Sequence, residues 1–115
     1  MNNECVFCKI ANGEFGVKFI YEDEELLAFH DINPQAPVHV LIIPRKHIAR
    51  INRLNDSDRS LAGKMILTAN KIAEDENISE GGYRLVFNCG PDGGQELEHI
   101  HLHLLGGRQM NWPPG

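Results

Sequence analysis

Eight residues near the C-terminus, Glu98-His99-Ile100-His101-Leu102-His103-Leu104-Leu105, alternate between polar and apolar. Strict alternation is the pattern of a β-strand with one face on a core. It predicts a strand over 98–105 with His99, His101 and His103 on one face, roughly 7 Å between successive neighbours. Ile100, Leu102 and Leu104 share the other face and can pack on a helix. Three imidazoles in a row are poor core material, because each buried ring nitrogen needs a hydrogen-bond partner. Half-exposed histidines on an edge strand and a metal site are the competing readings. His39 interrupts a second apolar strand, Val38-His39-Val40, where a polar residue is out of place. Four histidines set into apolar strands weigh toward function.

The rest of the chain supplies elements around that strand. Residues 5–12 read as a short helix stopped by Gly13. Residues 17–22 and 25–31 read as two strands of a hairpin joined by an acidic turn. Pro34 and Pro37 break the next segment into a loop. Residues 38–43 form a β-branched strand closed by Pro44. Leu61, Met65, Ala69, Ile72 and Ala73 recur at helical spacing and predict a helix over 58–76, capped by Asp56 or Ser57. Residues 83–88 are a strand, and Gly90 to Gln95 a glycine-rich loop. Three successive strands before the long helix favour an α+β fold: a five-stranded antiparallel sheet with one long and one short helix. A length of 115 residues fits one domain spanning 1–115.

Charge and cysteine content narrow the function. Eleven Lys and Arg against sixteen Asp and Glu give a net charge of −5. Without a basic run, the chain is a poor grip for a nucleic acid polymer. No apolar run is long enough to span a bilayer. The start Met1-Asn2-Asn3-Glu4 lacks the basic and apolar regions of a signal peptide. Three cysteines in such a chain point to a reducing cytoplasm rather than a disulfide framework. Cys89 reads as a buried small residue. Cys5 and Cys8 form a C-x-x-C pair at helical spacing, either two semi-buried thiols or half of a zinc site. The acidic set Glu22-Asp23-Glu24-Glu25 reads as a solvated turn. The standard glycine-rich phosphate loops are absent.

A neutral imidazole is a good nucleophile toward phosphorus, and a second one nearby can protonate a leaving group. Backbone N–H groups of Gly93-Gly94-Gln95-Glu96 can cup phosphate oxygens. The residues alone therefore reach phosphate transfer through a histidine.

The run His99-Ile100-His101-Leu102-His103-Leu104-Leu105 resembles the H-x-H-x-H-apolar-apolar motif of the histidine triad (HIT) superfamily. Cys5 to Ile10, Ala28 to Ile32, Pro34 to His39, Ile43 to His47 and Gly93 to Gln95 fall where the Hint branch has its matching segments. The tail Gly106-Gly107-Arg108-Gln109-Met110-Asn111-Trp112-Pro113-Pro114-Gly115 is similar to the Hint tail and unlike the Fhit and aprataxin branches. This resemblance implies a HIT-like fold and a purine nucleoside phosphoramidase. Such enzymes cleave nucleoside 5′-phosphoramidates or aminoacyl adenylates into nucleoside monophosphate and amine, with no metal required. It implies His101 as nucleophile, His103 and His39 on the leaving-group side, and His99 as a residue orienting His101. Asn88, Gln95 and the Gly94 backbone are implied around the phosphate, and Asp31 on the ribose. Phe7, Ile10, Phe29, His30, Ile32 and Leu41 are implied to line the base and sugar pocket.

Two positions depart from the common pattern. Glu96 stands where many Hint proteins have serine. A carboxylate there repels phosphate unless it is protonated or faces a cationic amine, which favours basic leaving groups. Glu98 stands where tyrosine is common and has little expected effect. Cysteine-containing bacterial relatives imply a structural Cys2His2 zinc site, here Cys5, Cys8, His47 and His99, which leaves His99 contested between two roles. Trp112 beside two prolines suits packing on a partner, and an edge strand invites pairing into a homodimer with one continuous sheet. Two other functions remain open: a zinc-stabilised nucleotide-binding scaffold, and a dinucleoside polyphosphate hydrolase of the Fhit branch. The Trp112-Pro113-Pro114-Gly115 tail argues against the second.

Overall fold

The computed structural model describes residues 4–115, so the reading of the Met1-Asn2-Asn3 start lies outside the described residues. Its elements are α1 (Val6–Ala11), β1 (Tyr21–Glu22), β2 (Leu26–His30), β3 (Val38–Pro44), α2 (Arg59–Asp75), β4 (Tyr83–Phe87) and β5 (Leu102–Gly106), with short 3-10 turns between them. The five strands form one antiparallel sheet in the order β1-β2-β3-β5-β4. No helix among the described residues is long and apolar enough to cross a membrane.

The sheet carries a different layer on each face. Leu26, Ala28, Val40, Ile42, Leu102 and Leu104 point to the α2 side and pack with Met65, Ala69, Ile72 and Ala73. Those four helix positions recur at spacings of three and four, which puts them on one stripe. Leu27, Phe29, Leu41 and Ile43 point to the other side, where Phe7 and Ile10 of α1 cover them. Because both faces are covered, β3 is buried at six of its seven positions and shows no polar alternation.

Several boundaries differ from the sequence reading for local reasons. The run 17–22 contributes only Tyr21–Glu22 as strand. The preceding chain leaves a turn in which Phe15 and Gly16 hold positive φ, and Ile20 makes the first hydrogen bond, to the Ala28 carbonyl at 2.8 Å. The long helix begins at Arg59, after a 3-10 turn over Asp56–Asp58. Asn55, rather than Asp56 or Ser57, caps that turn, in a box with Asp58. Cys89 is half-buried rather than buried.

The main correction concerns the histidine strand, because β5 starts at Leu102 and not at 98. His99 N–H turns back to the Leu97 carbonyl at 2.9 Å, and Ile100 N–H donates to Ile48 O at 2.8 Å, outside the sheet. His99 therefore precedes the strand, and the even ladder of three imidazoles does not form.

The loop after β4 needs two of its glycines. A Cβ at Gly93 lies 2.4 Å from the Cys89 carbonyl oxygen, and Gly94 holds φ at +78°. Leu104 sits at the centre of the α2-side core and is fully buried. Leu104→Ala is expected to cost about 3 kcal/mol of unfolding free energy, read as a lower urea midpoint with an unchanged slope.

Candidate active site

β3 and β5 bring His39 and His103 together. In the ladder Leu41 faces His103 and His39 faces Leu105, so the two histidines are diagonal neighbours on the α1 side. His39 Nε2 lies 2.9 Å from His103 Nδ1, and the His101 and His103 rings lie 5.0 Å apart. His39 and His101 are both at least nine-tenths buried. Phe7 stands against this group, its ring 5.1 Å from His101 and 5.7 Å from His99.

Neighbouring groups fix where the protons sit. The His99 carbonyl lies 2.7 Å from His101 Nδ1 and can only accept. His101 therefore carries its proton on Nδ1 and leaves Nε2 with a lone pair. The Gln35 backbone N–H donates to His39 Nδ1 at 3.0 Å, so the His39 proton is on Nε2 and points to His103 Nδ1. His103 in turn carries its proton on Nε2. The pair His101 and His103 thus presents one ring nitrogen with a lone pair and one with a proton.

Asp31 sits beside this chain. Its Oδ2 lies 3.5 Å from His39 Nε2, and its Oδ1 accepts the Asn33 N–H at 2.9 Å. The ladder also aligns Val86 of β4 with His103 and Phe87 with Leu102, and Asn88 follows directly after β4.

Not every implied pocket residue arrives here. Phe7, Ile10, Phe29 and Leu41 are brought together in the buried α1-side layer. His30 goes to the other face, where its Nε2 lies 3.8 Å from Glu76 at the end of α2. Its imidazole is not a pocket wall, because it is one residue past Phe29 and side chains alternate along a strand. The Ile32 side chain is fully exposed. Gln95 has its amide occupied in bracing the loop. Its Oε1 accepts Gly90 N–H at 2.9 Å, and its Nε2 donates to the Ala49 and Leu97 carbonyls at 2.7 and 2.8 Å. That geometry makes it a support of the Gly93-Gly94 loop. Glu96 is exposed, on a surface depression shared with Cys5, Val6, Leu97 and Glu98. Glu98 forms a forked ion pair with Arg50, with contacts from 2.6 to 3.1 Å.

The four Cys and His residues also converge. Cys5 Sγ and Cys8 Sγ lie 3.2 and 3.6 Å from His99 Nδ1, and Cys8 Sγ lies 3.3 Å from His47 Nδ1. All four donor atoms fall within 4.8 Å of one another. Ligand atoms around a tetrahedral zinc stand about 3.5 Å apart, so this donor set fits that ion. His99 Nε2 lies 2.8 Å from the Pro44 carbonyl, which takes its proton and leaves Nδ1 free to ligate. The sequence reading missed three supports: the Pro44 carbonyl, the Gln35 N–H and the His99 carbonyl. All three are backbone atoms, and residue type carries little signal for them.

Residues 12–110 match the family model described as the HIT domain. The chain is 46% identical over its full length to an uncharacterized HIT-like protein of Synechococcus elongatus, all of which is covered. It superposes with a TM-score of 0.94 on a HIT family hydrolase from Legionella pneumophila, 60% identical, covering 96% of this chain and 99% of that one. A second HIT family hydrolase, from Clostridium thermocellum, gives a TM-score of 0.93 at 50% identity, covering 96% of both chains. The chain belongs to the HIT family. Its five-stranded antiparallel α+β architecture is the HIT fold.

Burial sets the charge state of this HIT site. Burial pushes His103 down to about 4, helped by His101 and His39 and opposed by Asp31. Burial also lowers His39, again opposed by Asp31. Burial lowers His99 to about 4 against the bond to Pro44. In the unfolded chain these rings take protons near pH 6.5, so below that pH the unfolded state binds more protons than the folded one. Stability is therefore full above about pH 6.5 and falls as the pH drops toward 4. Melting temperatures recorded across that window are expected to decline, and His103→Asn is expected to flatten the decline.

Proposed function

We propose that this HIT protein hydrolyses the P–N bond of purine nucleoside 5′-phosphoramidates, or the mixed anhydride of aminoacyl adenylates, through a nucleotidyl-histidine intermediate. The observation that carries the reading is the pair of opposed tautomers on neighbouring rings. His101 offers the Nε2 lone pair and His103 the Nε2 proton. The purine nucleoside part rests on the resemblance to the Hint branch.

The steps follow from those proton positions. His101 Nε2 attacks the α-phosphorus and forms a P–N bond as the bond to the leaving amine breaks. Its Nδ1 keeps its proton and donates it in a hydrogen bond to the His99 carbonyl, which disperses the positive charge the ring gains. The departing nitrogen leaves as an unstable anion unless it receives a proton, and His103 Nε2 is the donor position. A neutral imidazole is too weak an acid to supply that proton alone. It supplies the proton only as the P–N bond breaks, when the nucleotidyl-His101 ring 5.0 Å away has become cationic and favours loss of a proton from His103. Water then attacks the phosphorus, His103 takes the water proton, and His101 is released. In this reading the Gly93-Gly94 loop, braced by Gln95, and Asn88 border the phosphate. Glu96 at the rim faces a basic amine more favourably than a second anion.

The Cys5, Cys8, His47 and His99 set holds zinc in this reading. The protein fills all four positions, so the ion is structural and anchors α1 to the segment before β5. The exposed Trp112, 81% accessible, the exposed Ile66 and Leu67 of α2 and the free edge of β4 supply the surface of a homodimer.

Incubation with adenosine 5′-phosphoramidates bearing basic and neutral amines is expected to release the amine and AMP. His101→Ala is expected to lower kcat by at least about 10³-fold, and wild type quenched in alkaline denaturant to carry a nucleotide on that histidine. Turnover that survives His101→Ala overturns the assignment. Native mass spectrometry is expected to find two chains and one zinc per chain, and Cys8→Ala to lose the metal and lower the melting temperature.

A further inference from the structure

The catalytic chain has a backbone atom at its outer end. The Gln35 N–H is the donor that forces the His39 proton onto Nε2, and hence the His103 proton onto Nε2. Gln35 lies in an irregular segment between Pro34 and Pro37, with no ladder partner to hold its position. Something else must keep its amide aimed at His39.

The C-terminal tail is seated on that segment at two successive residues. Arg108 Nε donates to the Gln35 carbonyl at 3.1 Å. Gly107, at φ +90°, packs so close to Pro37 that a Cβ there would lie 2.9 Å from the Pro37 Cβ. Within the segment, the Gln35 side-chain amide donates to the Asn33 carbonyl at 3.0 Å, and Asp31 Oδ1 accepts Asn33 N–H. The peptide groups on either side of Gln35 are thus held from opposite directions: the carbonyl by the tail, the N–H by His39.

We propose that Arg108 is a positioning residue for the phosphate chemistry: it holds the Gln35 peptide so that its N–H sets the proton direction through His39 to His103. The proposal rests on the hydrolase reading for its kinetic consequence only. If Gln35 swings away, His39 Nδ1 is free to carry the proton. His39 then accepts through Nε2, the His103 proton moves to Nδ1, and His103 turns a lone pair toward the leaving nitrogen. The nucleophile is untouched, because His101 takes its orientation from the His99 carbonyl. Ground-state binding is therefore preserved while protonation of the leaving group suffers. The Arg108 guanidinium also bonds Gln109 O at 3.1 Å, which fixes its own approach. Substrate contact with Arg108 is not needed for the effect.

The test reads tautomers directly. Nitrogen NMR of the imidazoles of the unliganded, metal-loaded wild type at neutral pH is expected to show His39 and His103 protonated on Nε2 and bare on Nδ1. Arg108→Ala is expected to mix the two tautomers of both rings, and to lower kcat roughly tenfold with KM within about twofold. The loss is expected to be larger for an amine leaving group, which departs only with a proton, than for the amino acid carboxylate released from an aminoacyl adenylate. Gln35→Pro removes the N–H outright and is expected to mix the tautomers without touching Arg108. A wild-type proton on Nδ1 of either ring overturns the proposal. So does an Arg108→Ala protein that keeps wild-type tautomers while losing kcat, since the loss then has another origin. A wild type with the expected tautomers but no phosphoramidate turnover overturns the hydrolase reading and leaves the tautomer control by Gln35 and Arg108 standing.

Discussion

The His99 carbonyl accepts the Nδ1 proton of His101 at 2.7 Å, and most of the site's chemistry depends on that one contact. A neutral ring buried in an apolar layer must place its single proton on one nitrogen, and its neighbours decide which. Here a carbonyl decides for His101, a backbone N–H for His39, and His39 for His103. The same rule operates at His99, where the Pro44 carbonyl takes the Nε2 proton and points the other lone pair at two thiols. His99 therefore serves both sites at once. Its ring belongs to the Cys and His cluster and its backbone carbonyl to His101. The two roles that compete in the sequence are carried by different atoms of one residue.

The sheet makes this arrangement possible by having unlike faces. On the α2 side the layers are aliphatic, and nothing there needs a proton. On the α1 side the covering helix is only six residues long. It shields Leu27, Phe29, Leu41 and Ile43, meets His47 and His99 through Cys8, and reaches His101 through the Phe7 ring. Burial there is deep enough to lower the proton affinity of His39 and His103, yet His103 stays partly open to solvent. A longer helix would bury the His103 ring along with the rest.

How far the sequence carries this picture depends on the range of the interactions involved. Period-two spacing correctly placed His103 opposite the aliphatic face of β5, and His39 stood out as a polar residue inside an apolar strand. The same arithmetic, counted from Phe29, puts His30 on the α2 side, where it meets Glu76. Its place among the pocket residues came from family resemblance, and the strand's own alternation contradicts it. The start of β5 was misread because residues 98–101 keep the alternating pattern without being in the sheet. Ile100 is held by Ile48, a partner 52 positions away that periodicity cannot reveal. Asn55 was passed over as a cap because Asp56 and Ser57 offer the same chemistry one and two residues later. Backbone supports such as Gln35 N–H and Pro44 O leave no trace in residue type at all.

The contact between Cys5 and His99 spans 94 residues. Cys5 and Cys8 leave the ribosome more than ninety residues before His99. At about 5–20 residues per second, the thiols wait roughly 5–20 s for their partner. During that interval β2 and β3, which carry the layer beneath α1, are already made, but the His99 ring is not. The segment leading into β5 thus ends the chemical exposure of Cys5 and Cys8 as β5 completes the sheet.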